Sequence, residues 1–135
     1  MATIFPDVEK LLVARIKSLL SASTNPVADN VWVATSKPPA DLSPAPTKIV
    51  TIRNDGGGDT ERGLIRAERV GINVYAETAT IASDLSRLVE ALLRSTVWGD
   101  VKLIETDMSP MRVPNNGPQE QRYMTLTITV KASNL

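Results

Sequence analysis

The stretch Arg69-Val70-Gly71-Ile72-Asn73-Val74-Tyr75-Ala76-Glu77-Thr78-Ala79-Thr80-Ile81-Ala82-Ser83-Asp84-Leu85-Ser86-Arg87-Leu88-Val89-Glu90-Ala91-Leu92-Leu93 decides the fold class. In its first part Val70, Ile72 and Val74 alternate with Arg69, Gly71, Asn73 and Tyr75, the period of a strand with one apolar face. In its second part Ile81, Leu85, Leu88, Val89, Leu92 and Leu93 recur at three- and four-residue steps, the period of an amphipathic helix. Thr78 or Thr80 supplies the N-cap hydroxyl between them. A strand that passes into a helix with so few spare residues, each apolar on one side, needs a sheet covered by helices on one face.

Working outward, residues 64–75 read as the return strand of a long hairpin whose outgoing strand is the β-branched run Ile49-Val50-Thr51-Ile52. The Asn54-Asp55-Gly56-Gly57-Gly58-Asp59 string has turn chemistry and is expected to form the hairpin tip. Upstream, Val8, Leu11, Leu12, Ile16, Leu19 and Leu20 predict a helix over residues 7–20, with Pro6 and Asp7 suited to its first turn. Val31-Trp32-Val33 predicts a short strand. Residues 36–47 contain Pro38, Pro39, Pro44 and Pro46 and predict an extended arm. Downstream, strands are expected at residues 101–104 and 123–130, joined by an irregular connection or a wide turn over residues 109–121. The order is helix, strand, strand, strand, helix, strand, strand: an α+β domain with a largely antiparallel sheet of about five strands and both helices on one face.

The chain has 135 residues, the size of one domain. It carries 15 basic and 15 acidic residues, so no net charge is available to hold nucleic acid or an anionic membrane. With no Cys and no His, disulfides, thiolate metal sites and Ser/His/Asp or Cys/His catalysis are excluded. The first residues lack the basic and apolar regions of a secretory signal, and no apolar run is long enough for a transmembrane helix.

The remaining motifs are read against their chemistry. Gly56-Gly57-Gly58 is followed by Asp59-Thr60-Glu61 and not by the Lys-Ser or Lys-Thr pair of a phosphate loop. Asp55, Asp59 and Glu61 lack the ligand alternation of a calcium loop. Asp84 and Glu90, six positions apart on a helix, do not face each other as a catalytic pair would. Arg62, Arg66 and Arg69 interleave with Glu61 and Glu68, which favours charge pairing over nucleic-acid contact. Trp32 and Trp98 are expected to anchor the core or an interface. An enzyme built on Lys102 or Tyr123 with a nearby carboxylate, and a module that docks peptides on a sheet edge, are the readings of other classes.

Four strings together resemble the tail terminator family of long-tailed bacteriophages. They are the helix opening Phe5-Pro6-Asp7-Val8-Glu9, the strand Ile49-Val50-Thr51-Ile52-Arg53 entering a glycine-rich segment, the run from Arg69 to Leu93, and the final Gln121-Arg122-Tyr123-Met124-Thr125-Leu126-Thr127-Ile128-Thr129-Val130. The resemblance covers nearly the whole chain. It implies a non-enzymatic virion protein with no cofactor: a hexameric ring at the head-proximal end of the tail. Such a ring caps the tail tube protein, stops its polymerisation, meets a head-completion or connector protein, and lets DNA pass through its lumen. On that reading Asp55, Gly56, Gly57, Gly58, Asp59, Glu61, Arg62, Arg66, Asn115 and Asn116 are expected at partner interfaces. Another neck component, a head-closure or tail-completion protein, is the nearest alternative.

Overall fold

The computed structural model describes residues 2–95, 97–114 and 117–135. The elements run β1 (Thr3–Ile4), α1 (Val8–Ala22), a short 3-10 turn (Pro26–Ala28), β2 (Val31–Ala34), β3 (Lys48–Glu61), β4 (Ile65–Ala76), α2 (Ala79–Arg94), β5 (Val101–Val113), β6 (Glu120–Lys131) and β7 (Ser133–Asn134). Five strands form the main sheet in the order β2-β3-β4-β6-β5, and β1 pairs with β7 in a separate ribbon. The α+β architecture is the expected one, with β1 and β7 added at the chain ends.

The alternation in β4 does what its period requires. Ile72 lies opposite Ile52 on β3 and Met124 on β6, and Val74 lies opposite Val50, all on the face beneath the helices. α1 packs on β2 and β3, and α2 packs on β4, β5 and β6. Leu12, Ile16, Leu85, Val89, Leu93, Leu126 and Ile128 complete this core, each essentially without solvent exposure. Burying one such side chain stabilises the fold by roughly 1.5–3 kcal/mol. The Asp7 carboxylate caps α1 by accepting from Lys10 N–H at 3.2 Å, and Thr78 Oγ1 accepts from Ile81 N–H at 3.2 Å to cap α2. Pro6 thus precedes the helix and does not sit in its first turn.

β2 and β3 run parallel, so the chain between them must return along the sheet before pairing can begin. The proline-rich arm is that return, and it crosses the face opposite the helices. The Lys37 ammonium sits 4.0 Å from the centre of the Tyr75 ring, and Trp32 Nε1 donates to the Ser36 carbonyl at 3.1 Å. Ile49, between Trp32 and Tyr75 in register, is consequently buried although it points away from the helices. Beyond the arm this outer face is open and carries Thr125, Thr127, Thr129 and Tyr123 from β6.

Two expectations are corrected. Gly56, Gly57 and Gly58 do not form the hairpin tip: they are strand residues paired with Arg69, Glu68 and Ala67. The turn lies at Arg62-Gly63-Leu64, where Leu64 N–H donates to Glu61 O at 2.9 Å and Gly63 takes φ +70°. Register is dictated by the long antiparallel match of β3 with β4, and the turn-forming string is absorbed as a bulge between Asn54 and Gly56. Gly57 can sit in the strand only as glycine, because a Cβ there would run into the Ala67 carbonyl.

The second correction concerns residues 109–121, which are mostly strand. β5 continues through Pro110 to Val113 and β6 starts at Glu120. Proline is tolerated here because β5 is the sheet edge, and the ladder skips past it in a register shift between Met108 and Met111.

Candidate interaction surface

The outer half of the β3–β4 hairpin holds most of the residues expected at interfaces, and its charges are organised in pairs. Arg53 Nε lies 2.7 Å from Asp55 Oδ1, and Arg66 Nε lies 2.8 Å from Asp59 Oδ1. Asp59 also accepts from Gly63 N–H at 3.1 Å; the Arg66 hydrogen bond, then this one, hold its carboxyl below the usual aspartate range. Asp55 and Asp59 therefore turn to different arginines and do not converge. Arg69 reaches across β6 to Asp107 on β5 at 3.3 Å, and Thr127 Oγ1 donates to the same carboxylate at 2.7 Å. Asp55, Gly56, Gly57, Ala67, Arg69 and Thr127 line an open hollow of about 540 Å³ on this face.

Of the expected interface residues, Asp55, Gly56, Gly57, Gly58, Asp59, Glu61 and Arg62 are exposed and Arg66 is half-buried under Phe5. Asn115 and Asn116 lie outside the described residues. Arg66 and Arg69 have partners within their own chain, whereas no ion pair engages Arg62 among the described residues. In α2, Asp84 pairs with Arg87 at 2.6 Å, while Glu90 accepts from Thr106 Oγ1 at 2.7 Å and ties the helix to β5. Trp98 packs on the core beneath the Arg15 guanidinium. Lys102 stands near the start of β5, whereas Tyr123 pairs with Met111 towards the other end of that strand. Its hydroxyl lies over Gly71, where a Cβ would be 2.6 Å from it. The fold does not bring Lys102 and Tyr123 together.

A second surface is not visible in the local sequence pattern. Towards the end of the sheet formed by the β3–β4 turn, the start of β5 and the end of β6 lie Ile4, Leu64, Val97, Leu103 and Leu135, each 47% exposed or more. The β1–β7 ribbon is fastened there: Thr3 Oγ1 donates to Gly63 O at 2.7 Å, and Ala132 N–H donates to Leu64 O at 2.9 Å. The other large apolar residues exposed in the described structure, Leu42 and Met111, lie elsewhere. Exposed apolar residues grouped at one end of a small domain mark a contact surface.

No family model matches the chain, and no curated protein is significantly similar to it. Among solved structures, a chain of the virion of a native gene transfer agent particle is similar at a TM-score of 0.60 and 14% identity. The match covers 91% of this chain and 95% of that one, so the two share their fold over nearly their entire lengths.

Proposed function

We propose that this chain is a structural virion protein, and within the virion a tail terminator: a subunit of a hexameric ring that caps the tail tube, stops its growth and offers its other side to the head. The observation that carries the reading is the near-complete, reciprocal fold match to a chain of a gene transfer agent virion. The terminator role within that class rests on the four strings that resemble the family. The ring has no catalytic task, and it works by contact.

Two surface features agree with such a role. Arg53, Arg66 and Arg69 are each paired with an aspartate of the same chain, so these three arginines offer little free charge to DNA moving through a lumen. The apolar end adjoins the exposed outer hairpin at the β3–β4 turn, so the two together form an extended surface suited to contacts with neighbouring subunits of a ring. The neighbours are further copies of the chain, the tube protein, and a head-completion or connector protein.

Electron microscopy of particles whose copy of this gene is disabled tests the proposal. Overlong tails detached from heads are the expected result. Tails of normal length on particles that lack the protein would overturn the terminator role.

A further inference from the structure

Where the outer hairpin meets the start of α1, the fold buries a carboxyl group it does not satisfy. Glu68 lies on the helix-facing side of β4, opposite Gly57 and Ile128, and is 8% exposed. Its Oε2 has no hydrogen-bond partner among the described residues, and its Oε1 is 4.0 Å from Arg66 Nη1. Arg66 is committed elsewhere, to Asp59 at 2.8 Å and to the Phe5 ring at 4.0 Å.

The groups around this joint are mostly acidic. From α1 come Asp7, whose carboxylate caps the helix, and Glu9, whose Oε2 accepts from Asn54 N–H at 2.8 Å. From β3 comes the polar side chain of Asn54, and from β6, opposite Glu68, the apolar Ile128. Among the described residues Arg66 is the one cation that faces Glu68, and it is shared with Asp59. Asn54 meanwhile is held on both sides, with its Oδ1 accepting from Gly56 N–H at 2.8 Å to shape the bulge.

We propose that Glu68 is a proton-operated latch at the root of the outer hairpin: protonated, it lets the hairpin close on the start of α1; ionised, it loosens that joint. Burial pushes the Glu68 carboxyl above the usual glutamate range; Arg66 and then Asn54 oppose this, and Asp7 adds to it. The closed joint therefore holds a proton more tightly than the open one. It gains stability as pH falls through the raised pKa and loses it above. By linkage, any partner that binds the closed hairpin draws a proton onto Glu68. The inference does not rest on the ring reading.

Hydrogen–deuterium exchange on the full chain tests it, comparing amides of residues 54–68 with those of β6 across the pH range on either side of the glutamate region. After correction for intrinsic exchange, the hairpin amides should open several-fold more often on the alkaline side, while β6 stays unchanged. In Glu68→Gln the hairpin should show no such loss of protection on the alkaline side. A wild-type hairpin without a pH step, or the same step in Glu68→Gln, overturns the proposal. Should that variant fail to fold, carboxyl-carbon NMR of the wild-type chain decides: a Glu68 midpoint above the ordinary glutamate value supports the latch, and one at or below it overturns it.

Discussion

Along the β3–β4 hairpin, Val50 and Ile52 face Val74 and Ile72 beneath both helices with almost no exposure, while a few residues further out Gly57, Gly58 and Asp59 are exposed opposite Glu68, Ala67 and Arg66, of which only Glu68 is buried. The same two strands are thus held by different means. At the root, apolar side chains are packed from above, and the register is tied to the burial of every second residue. In the outer half the ladder is bulged twice, and charge pairs take the place of packing. The root specifies the fold; the outer half is free to carry residues suited to a partner.

The most damaging break in this comparison falls at the root. Ile72→Ala should cost about 2–5 kcal/mol in a denaturant melt, because α1 and α2 cannot collapse onto the cavity without leaving the sheet. In the outer half two adjacent glycines should behave oppositely. Gly57→Ala forces a methyl group against the Ala67 carbonyl and should cost about 1–3 kcal/mol, with β3 and β4 parting locally. Gly58→Ala meets nothing and should be neutral or stabilising by up to ~1 kcal/mol. Equal losses at the two positions would mean that the string is a loose tip and not strand.

The smallest effects are distinguished by the sign of their pH dependence. Asp59, held low by Arg66 and Gly63, stabilises the hairpin above the ordinary aspartate range and loses this contribution as pH falls through its depressed pKa. Asp59→Asn should therefore weaken the protein slightly at neutral pH and not at all in acid. Glu68 has the opposite sign, so Glu68→Gln should raise the melting temperature at neutral pH, with the gain vanishing in acid. Matched melts of the two variants across pH check both signs.

What the sequence made legible follows the same division. The alternation in β4 and β6 and the helical spacing of α1 and α2 report burial on one face, and those elements stand where the spacing puts them. Thr78, and not Thr80, caps α2, a choice between two hydroxyls that spacing alone left open. Local turn chemistry misleads at Gly56-Gly57-Gly58, because long-range pairing with β4 outweighs it, and at Pro110, because an edge strand needs no donor on its free side. The apolar end was illegible for another reason: the chain start that carries Ile4 is brought to the β3–β4 turn by the pairing of β1 with β7 and the Thr3 contact to Gly63, neither of which has a local sequence pattern.

On the proposed function the root folds the subunit while the outer half assembles it, and complementation of particles that lack this gene tests this directly. The variant to use is the double reversal Glu61→Lys with Arg62→Glu, at two exposed positions beside the turn. Its melting behaviour should match that of the wild type, because surface changes away from packed groups usually stay within about 0.5 kcal/mol. Electron microscopy of the complemented particles should nevertheless show overlong tails without heads, as with no protein at all. Tails of normal length, joined to heads, would contradict the account by showing that a folded subunit assembles without this part of the hairpin.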